Sequence, residues 1–166
     1  MYAALKKTAR PTLFGPLTHA VGKRLDCADH SHGELLFRTG WSASSVIGEG
    51  VRFKRIVYNP TAWDFYTLPD ELEPAAHAFC SHHQGEDYDR GYMLRFGMPL
   101  VNEHPSKWGC IELMGAACGW TDPWRYGPGG YLARCIDVYG SKLVPLNDPF
   151  LLSVFRNIGK LSVALF

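Results

Sequence analysis

The apolar residues of this chain change their spacing near Asp70, and that change limits the fold more than any other feature. Upstream lie short segments with the two-residue alternation of half-buried strands, at residues 2–7, 31–38, 41–47, 50–57 and 62–68. In the fourth of these, Val51 and Phe53 alternate with Arg52 and Lys54. Thr39-Gly40 has the composition of a hairpin turn, and Asn59-Pro60 that of a turn before the last strand. The last four segments, taken in order, predict an antiparallel meander, and residues 15–25 predict one modest helix ahead of it.

Downstream of Asp70 the period becomes helical. Leu72, Ala75, Ala76, Phe79 and Cys80 form a stripe over residues 70–83 that Gly85 closes, and a second short helix is predicted over 88–96. Residues 97–108 form a loop, and a third helix runs from Cys110 through Ile111, Leu113, Met114, Ala117 and Cys118 to Gly119. Turn chemistry fills 121–130, followed by a brief helix over 131–135 and a strand over 136–139. The 17 glycines and 11 prolines, about a sixth of the 166 residues, favour short elements joined by many turns. The expected class is α+β, an antiparallel meander or small barrel-like sheet packed against helices, in one domain over residues 1–140.

Residues 141–166 make a C-terminal extension. Its apolar stripe is Leu151, Val154, Phe155, Ile158, Leu161 and Leu165, flanked by Arg156 and Lys160 and interrupted by Gly159. Packing on its own domain, docking on a partner protein and contact with a membrane surface all stay open for this segment. A spanning helix is not supported, because the stretch is short and carries basic residues.

Composition removes several function classes. A net charge of +1 gives no excess of cations for phosphate backbones, so no nucleic-acid partner is expected. Neither G-x-x-x-x-G-K-[ST] nor G-x-G-x-x-G occurs. The five cysteines, Cys27, Cys80, Cys110, Cys118 and Cys135, are odd in number and include no C-x-x-C pair, which supports neither a disulfide framework nor a zinc site. His77, Cys80, His82 and His83 crowd one helix without a second ligand cluster, so no metal and no other cofactor is expected. The basic N-terminus is followed by no continuous apolar run, and a protein made in the cytoplasm without a signal peptide is expected.

One cysteine differs from the rest. Cys110 opens a helix, where unpaired backbone N–H groups and the helix dipole stabilise a thiolate and an oxyanion alike. A general base must lie within hydrogen-bond reach, and His32 is the candidate held by a strand, with Glu34 on the same face two residues later. His19, His77, His82, His83 and His104 fall on helices or in loops as surface or capping residues. A third group orients the imidazole: Ser45 if the hairpin loop has two residues, Ser44 if it has three, or Glu34, which is also a candidate ion-pair partner for Arg52 or Lys54.

The order of these features resembles a known family. The strand Ser31-His-Gly-Glu-Leu, the element Gly85-Glu-Asp-Tyr-Asp and the helix start Lys107-Trp-Gly-Cys-Ile-Glu together resemble the circularly permuted NlpC-like cysteine hydrolases of the papain-like superfamily. The likeness is to the YiiX-type group and especially its small phage- and prophage-encoded members, and it covers about residues 2–138. It implies a permuted papain-like fold in which the catalytic histidine precedes the cysteine. Cys110 then matches the nucleophile, His32 the base and Ser44, or Ser45 by register, the polar residue of the next strand. Glu34, Tyr88 and Glu112 match positions near the site, Tyr88 is a candidate donor near the oxyanion, and Tyr88, Trp108 and Ser45 are expected to contact the substrate.

The resemblance further implies amide or peptide hydrolysis by acyl transfer, with a cell-wall peptide as substrate and a phage tail or lysis module as vehicle. Relatives commonly have Phe-Cys-Ser-Glu where this chain has Gly109-Cys-Ile-Glu. That departure motivates a second reading, a structural protein of a phage tail that keeps the fold without the activity. Thioester or lipid acyl transfer is a third.

Overall fold

The computed structural model describes residues 1–8, 29–91, 104 and 106–155. The expected helix over 15–25, Cys27, most of the loop over 97–106 and the stripe beyond residue 155 lie outside the described residues. Within them the chain is α+β, with a five-stranded antiparallel sheet and helices on it.

Strand β1 (Tyr2–Lys7) lies between β2 (His30–Leu36) and β5 (Trp63–Thr67), and the sheet continues through β3 (Ser42–Val46) to β4 (Gly50–Lys54). The order β4-β3-β2-β1-β5 is a meander for β2 to β4 only. The fourth strand of the expected meander does not pair with its predecessor: β5 pairs with β1 instead. Tyr58, in the connection, is what the crossing buries. It is 4% exposed, packs on Trp63 and Phe65, and shares a 2.7 Å hydrogen bond with Ser42. The strands form an open sheet, not a closed barrel.

The hairpin between β2 and β3 has a three-residue loop, Arg38 to Gly40, closed by the Phe37 N–H on the Trp41 carbonyl at 2.9 Å. Gly40, at φ +80°, takes the left-handed position this loop length uses. The register is Leu35 opposite Ala43 and Leu36 opposite Ser42, and regular pairing stops there. Beyond that point the Ser44 hydroxyl donates to the Gly33 carbonyl at 2.6 Å, a side chain replacing a ladder bond. On the other side of β2, Lys6 faces His32 and Lys7 faces His30, which leaves Ser31 as a bulge.

Alternation divides the sheet between two cores. Ala3, Leu5, Leu35, Ala43 and Val51 pack against α1 (Glu73–His82), α2 (Cys110–Ala117) and α3 (Pro128–Tyr139). Tyr2, Ala4, Leu36 and Phe65 face the opposite way, onto Tyr58, Trp63 and residues 144–154. That second layer is the C-terminal segment. Residues 142–144 extend the sheet past β5, with the Val144 N–H on the Phe65 carbonyl at 2.7 Å, and a helix, α4 (149–155), follows. The Asp148 carboxylate caps it through the N–H groups of Phe150 and Leu151 at 3.0 and 3.1 Å. Leu151 and Val154 of the apolar stripe therefore pack on their own domain and are not a docking face. Among the described residues no helix is long and apolar enough to cross a membrane.

Two further expectations are corrected. Residues 88–91 do not begin a helix: Asp87–Tyr88 is a short strand, β6, parallel to β7 (Lys107–Trp108), and the Asp89 N–H bonds the Trp108 carbonyl at 3.1 Å. Residues 136–139 are not a strand but the end of α3, which starts at Pro128 and is capped by Gly140. Proline suits the first turn of a helix because the missing N–H would have no partner there. Ile136 and Val138 are simply its exposed side.

The edge of β4 is covered by residues 85–86, with the Val51 N–H on the Glu86 carbonyl at 2.8 Å and the Gly85 N–H on the Val51 carbonyl at 2.9 Å. Gly50, at φ +67°, makes that approach possible, since a Cβ there would stand 2.2 Å from the Glu86 carbonyl oxygen. Gly50→Ala combines a left-handed backbone with a backbone clash and is expected to cost at least about 2 kcal/mol in urea denaturation. A loss near zero would show that β4 is not seated on this segment.

Candidate active site

Cys110 is the first residue of α2. Gly109 is its N-cap in an ordinary extended conformation (φ −76°, ψ 158°) and has no side chain to cap with. Glu112, buried in the first turn, supplies the missing half by accepting the Gly109 N–H at 2.9 Å. Ile111 turns into the first core and is buried. The sulfur thus sits at the positive end of a helix, with the free N–H groups of the first turn around it.

His32 meets it from β2. The imidazole Nε2 is 3.0 Å from Glu34 Oε1, and Cys110 is a neighbour of the same ring. With Nε2 engaged by the carboxylate, Nδ1 is the nitrogen left for the sulfur. The edge of Trp63 closes another side, with ring centroids 6.1 Å apart. Burial by itself lowers the basicity of this histidine. The hydrogen bonds with Cys110 and Glu34, followed by the charges of both, outweigh it and raise the pKa from 6.5 to about 9.

Of the three candidates for the third group, Glu34 is the one that reaches His32, although residues two apart on a strand seldom touch. It is 1% exposed, and Arg52 Nη2 lies 2.8 Å from Oε1 as its counter-charge. Lys54, the other cation considered for it, goes to Glu49 at 2.6 Å. The serines do not reach the imidazole. Ser44 shares the face of Glu34 and Arg52, as the three-residue loop requires, but its hydroxyl is spent on the Gly33 carbonyl. Ser45 opposes Val51 on the helix-facing side, and its buried hydroxyl makes no hydrogen bond.

Tyr88 and Trp108 are paired across β6 and β7, and their side chains have different surroundings. Trp108 packs its ring on Phe79 and His83 and donates its indole N–H to Glu86 at 2.5 Å, so it anchors the approach to α2. Tyr88 lines a polar cleft of about 600 Å³ between the β3–β4 turn, residues 87–91, His104 and Lys107. Glu49 and Asp89 share that wall, while Trp108 and Cys110 are not part of it. Arg52 was expected only as an ion-pair partner and Glu49 not at all. The signal for both was on the strand: Arg52 lies opposite Ser44, hence on the face of Glu34.

The remaining described cysteines have no such environment. Burial pushes the Cys80 and Cys135 thiols up to about 12 and Cys118 to about 11. Cys118 lies 3.8 Å from the Tyr131 hydroxyl inside the first core. Among the described residues no group of three His, Cys, Asp or Glu side chains is arranged to hold a metal. No family model matches the chain, and neither a curated protein sequence nor a solved structure matches it.

Iodoacetamide near neutral pH, applied to the Cys27→Ser variant, is expected to label Cys110 at least about tenfold faster than Cys80, Cys118 or Cys135. Peptide mapping reads the order. Equal rates for Cys110 and Cys118 would deny Cys110 the character of an activated thiol.

Proposed function

We propose that the chain is a cysteine amidase or endopeptidase that works by acyl transfer, with Cys110 as nucleophile, His32 as acid and base and Glu34 as the group that orients His32. The observation that carries this reading is the imidazole held between a helix-terminal thiol and a buried carboxylate. The Cys110 thiolate attacks an amide carbonyl carbon, and the carbonyl electron pair moves to oxygen, stabilised by the free N–H groups at the start of α2. As the oxyanion collapses, the C–N bond breaks and the imidazolium of His32 gives its proton to the departing amine. Water then attacks the thioester while His32 takes one of its protons. Collapse of the second oxyanion releases the carboxylic acid and restores the thiolate and imidazolium.

The resemblance to permuted NlpC-like hydrolases supports a peptide or amide substrate. A cell-wall peptide, with delivery in a phage tail or lysis module, is the more specific form of the proposal. The permuted papain-like topology belongs to the same proposal. An inert structural protein with the same fold is the alternative reading; of the residues that motivated it, Gly109 serves as a helix cap and Ile111 as a core side chain.

The test is release of amino groups from soluble cell-wall peptides, with mass spectrometry for an acyl adduct on Cys110. Cys110→Ala and His32→Asn are each expected to lower turnover at least about a thousandfold. The form that acts is His32 protonated, so kcat/KM is expected to fall as pH rises through about 9. Glu34→Gln removes a charge that favours the imidazolium, and the alkaline limb is expected to move to lower pH. Turnover that survives Cys110→Ala, or a limb that Glu34→Gln leaves in place, would defeat the assignment.

A further inference from the structure

Glu34 has to bend back along its own strand to reach His32, because side chains two residues apart on a strand stand about 6–7 Å from each other. Something must hold it there. Its Oε1 accepts from two cations at once, His32 Nε2 at 3.0 Å and Arg52 Nη2 at 2.8 Å, while Arg52 Nη1 lies 3.5 Å from Oε2. On its other side the guanidinium meets the charge of Glu49, with Nε 3.1 Å from Oε2 as an ion pair that lacks hydrogen-bond geometry. Lys54 Nζ holds the same Glu49 oxygen at 2.6 Å. A continuous chain of charges therefore runs from the reacting sulfur through His32, Glu34 and Arg52 to Glu49 on the cleft wall.

We propose that Arg52 is a positioning residue of the acyl-transfer site: its planar fork, steadied by Glu49, fixes the Glu34 carboxylate so that Oε1 stays on His32 Nε2. This rests on the reading of Cys110 and His32 as nucleophile and base. Other groups around the pair are less suited to the task. Lys6 is the cross-strand neighbour of His32 on β1, and Trp63 offers only a ring edge. Tyr58, buried beside Glu34, gives its hydroxyl to the Ser42 pair. A lysine at position 52 keeps the charge but loses the fork that spans two carboxylates.

The experiment is the rate of Cys110 alkylation by iodoacetamide at neutral pH, in the Cys27→Ser background, with thermal unfolding run on every variant. Arg52→Gln is expected to slow the reaction about tenfold, and Arg52→Lys is expected not to restore it. Because Arg52 acts through Glu34, the double variant Glu34→Gln/Arg52→Gln is expected to react no slower than Glu34→Gln alone. A residue with a merely structural role would instead give losses that multiply. If Arg52→Gln does not fold, Glu49→Gln loosens the guanidinium from a half-exposed position, and its slowing is expected to vanish in the Glu34→Gln background.

An Arg52→Gln rate within twofold of the unmodified protein, full rescue by lysine, or multiplying losses would each overturn the proposal. Wild-type Cys110 reacting no faster than Cys118 would instead defeat the nucleophile–base reading itself, which keeps the two failures apart.

Discussion

At Gly33 a Cβ would stand 2.5 Å from the Met114 sulfur and 2.8 Å from Cδ1 of Ile111, so α2 lies close against β2 and a side chain there would push the tips of Met114 and Ile111 aside. Much of the molecule depends on that seat. Ile111, Leu113 and Met114 are all buried there, and each apolar side chain of this size contributes about 1.5–3 kcal/mol on burial. The same contact sets Cys110, one residue before Ile111, beside the residue that precedes Gly33, which is His32. The core and the candidate site are two consequences of one packing constraint. Ser44 completes it by bonding the Gly33 carbonyl where β2 and β3 no longer pair.

The second constraint is the buried charge of Glu34. An unpaired carboxylate inside a protein costs several kcal/mol, and here one permanent cation and one titratable cation meet it. Arg52 keeps the carboxylate tolerable in the fold, and His32 gains a tighter hold on its proton. The effect is local. Tyr58, on the same face, is pushed up first by burial and then by the charge of Glu34. Cys110 shares its core cluster with three other cysteines, and in those three burial holds the thiol protonated at neutral pH.

Those contrasts explain what could be read in the sequence. Cys110 at a helix start and His32 on a strand were legible because capping and alternation are local properties. The choice among Ser44, Ser45 and Glu34 was not, because it turned on one residue of loop length and on a side chain bending along its own strand. The pairing of β5 with β1 and of β6 with β7 is likewise set by partners distant in sequence: Tyr58 finds Ser42, and Tyr88 finds Trp108. In α3 the Pro128-Gly-Gly start and the Ile136-Asp-Val alternation both pointed away from a helix. Burial of Tyr131 and Cys135, four residues apart on one side, outweighed them.

The neighbours of Cys110 bear on whether such a site can work. A side chain at the N-cap is usual because it satisfies a helix N–H, and its absence at Gly109 looks at first like a loss. Glu112 takes the Gly109 N–H instead, so this N–H has a partner although Gly109 has no side chain to cap with. Ile111 faces the core, so replacing a hydroxyl there removes nothing from the reacting atoms and adds apolar surface to the contact over Gly33. Gly109 and Ile111 thus both serve the seat of the helix. In the proposed reading the orientation of His32 rests on Glu34, and through it on a charge network anchored in β4.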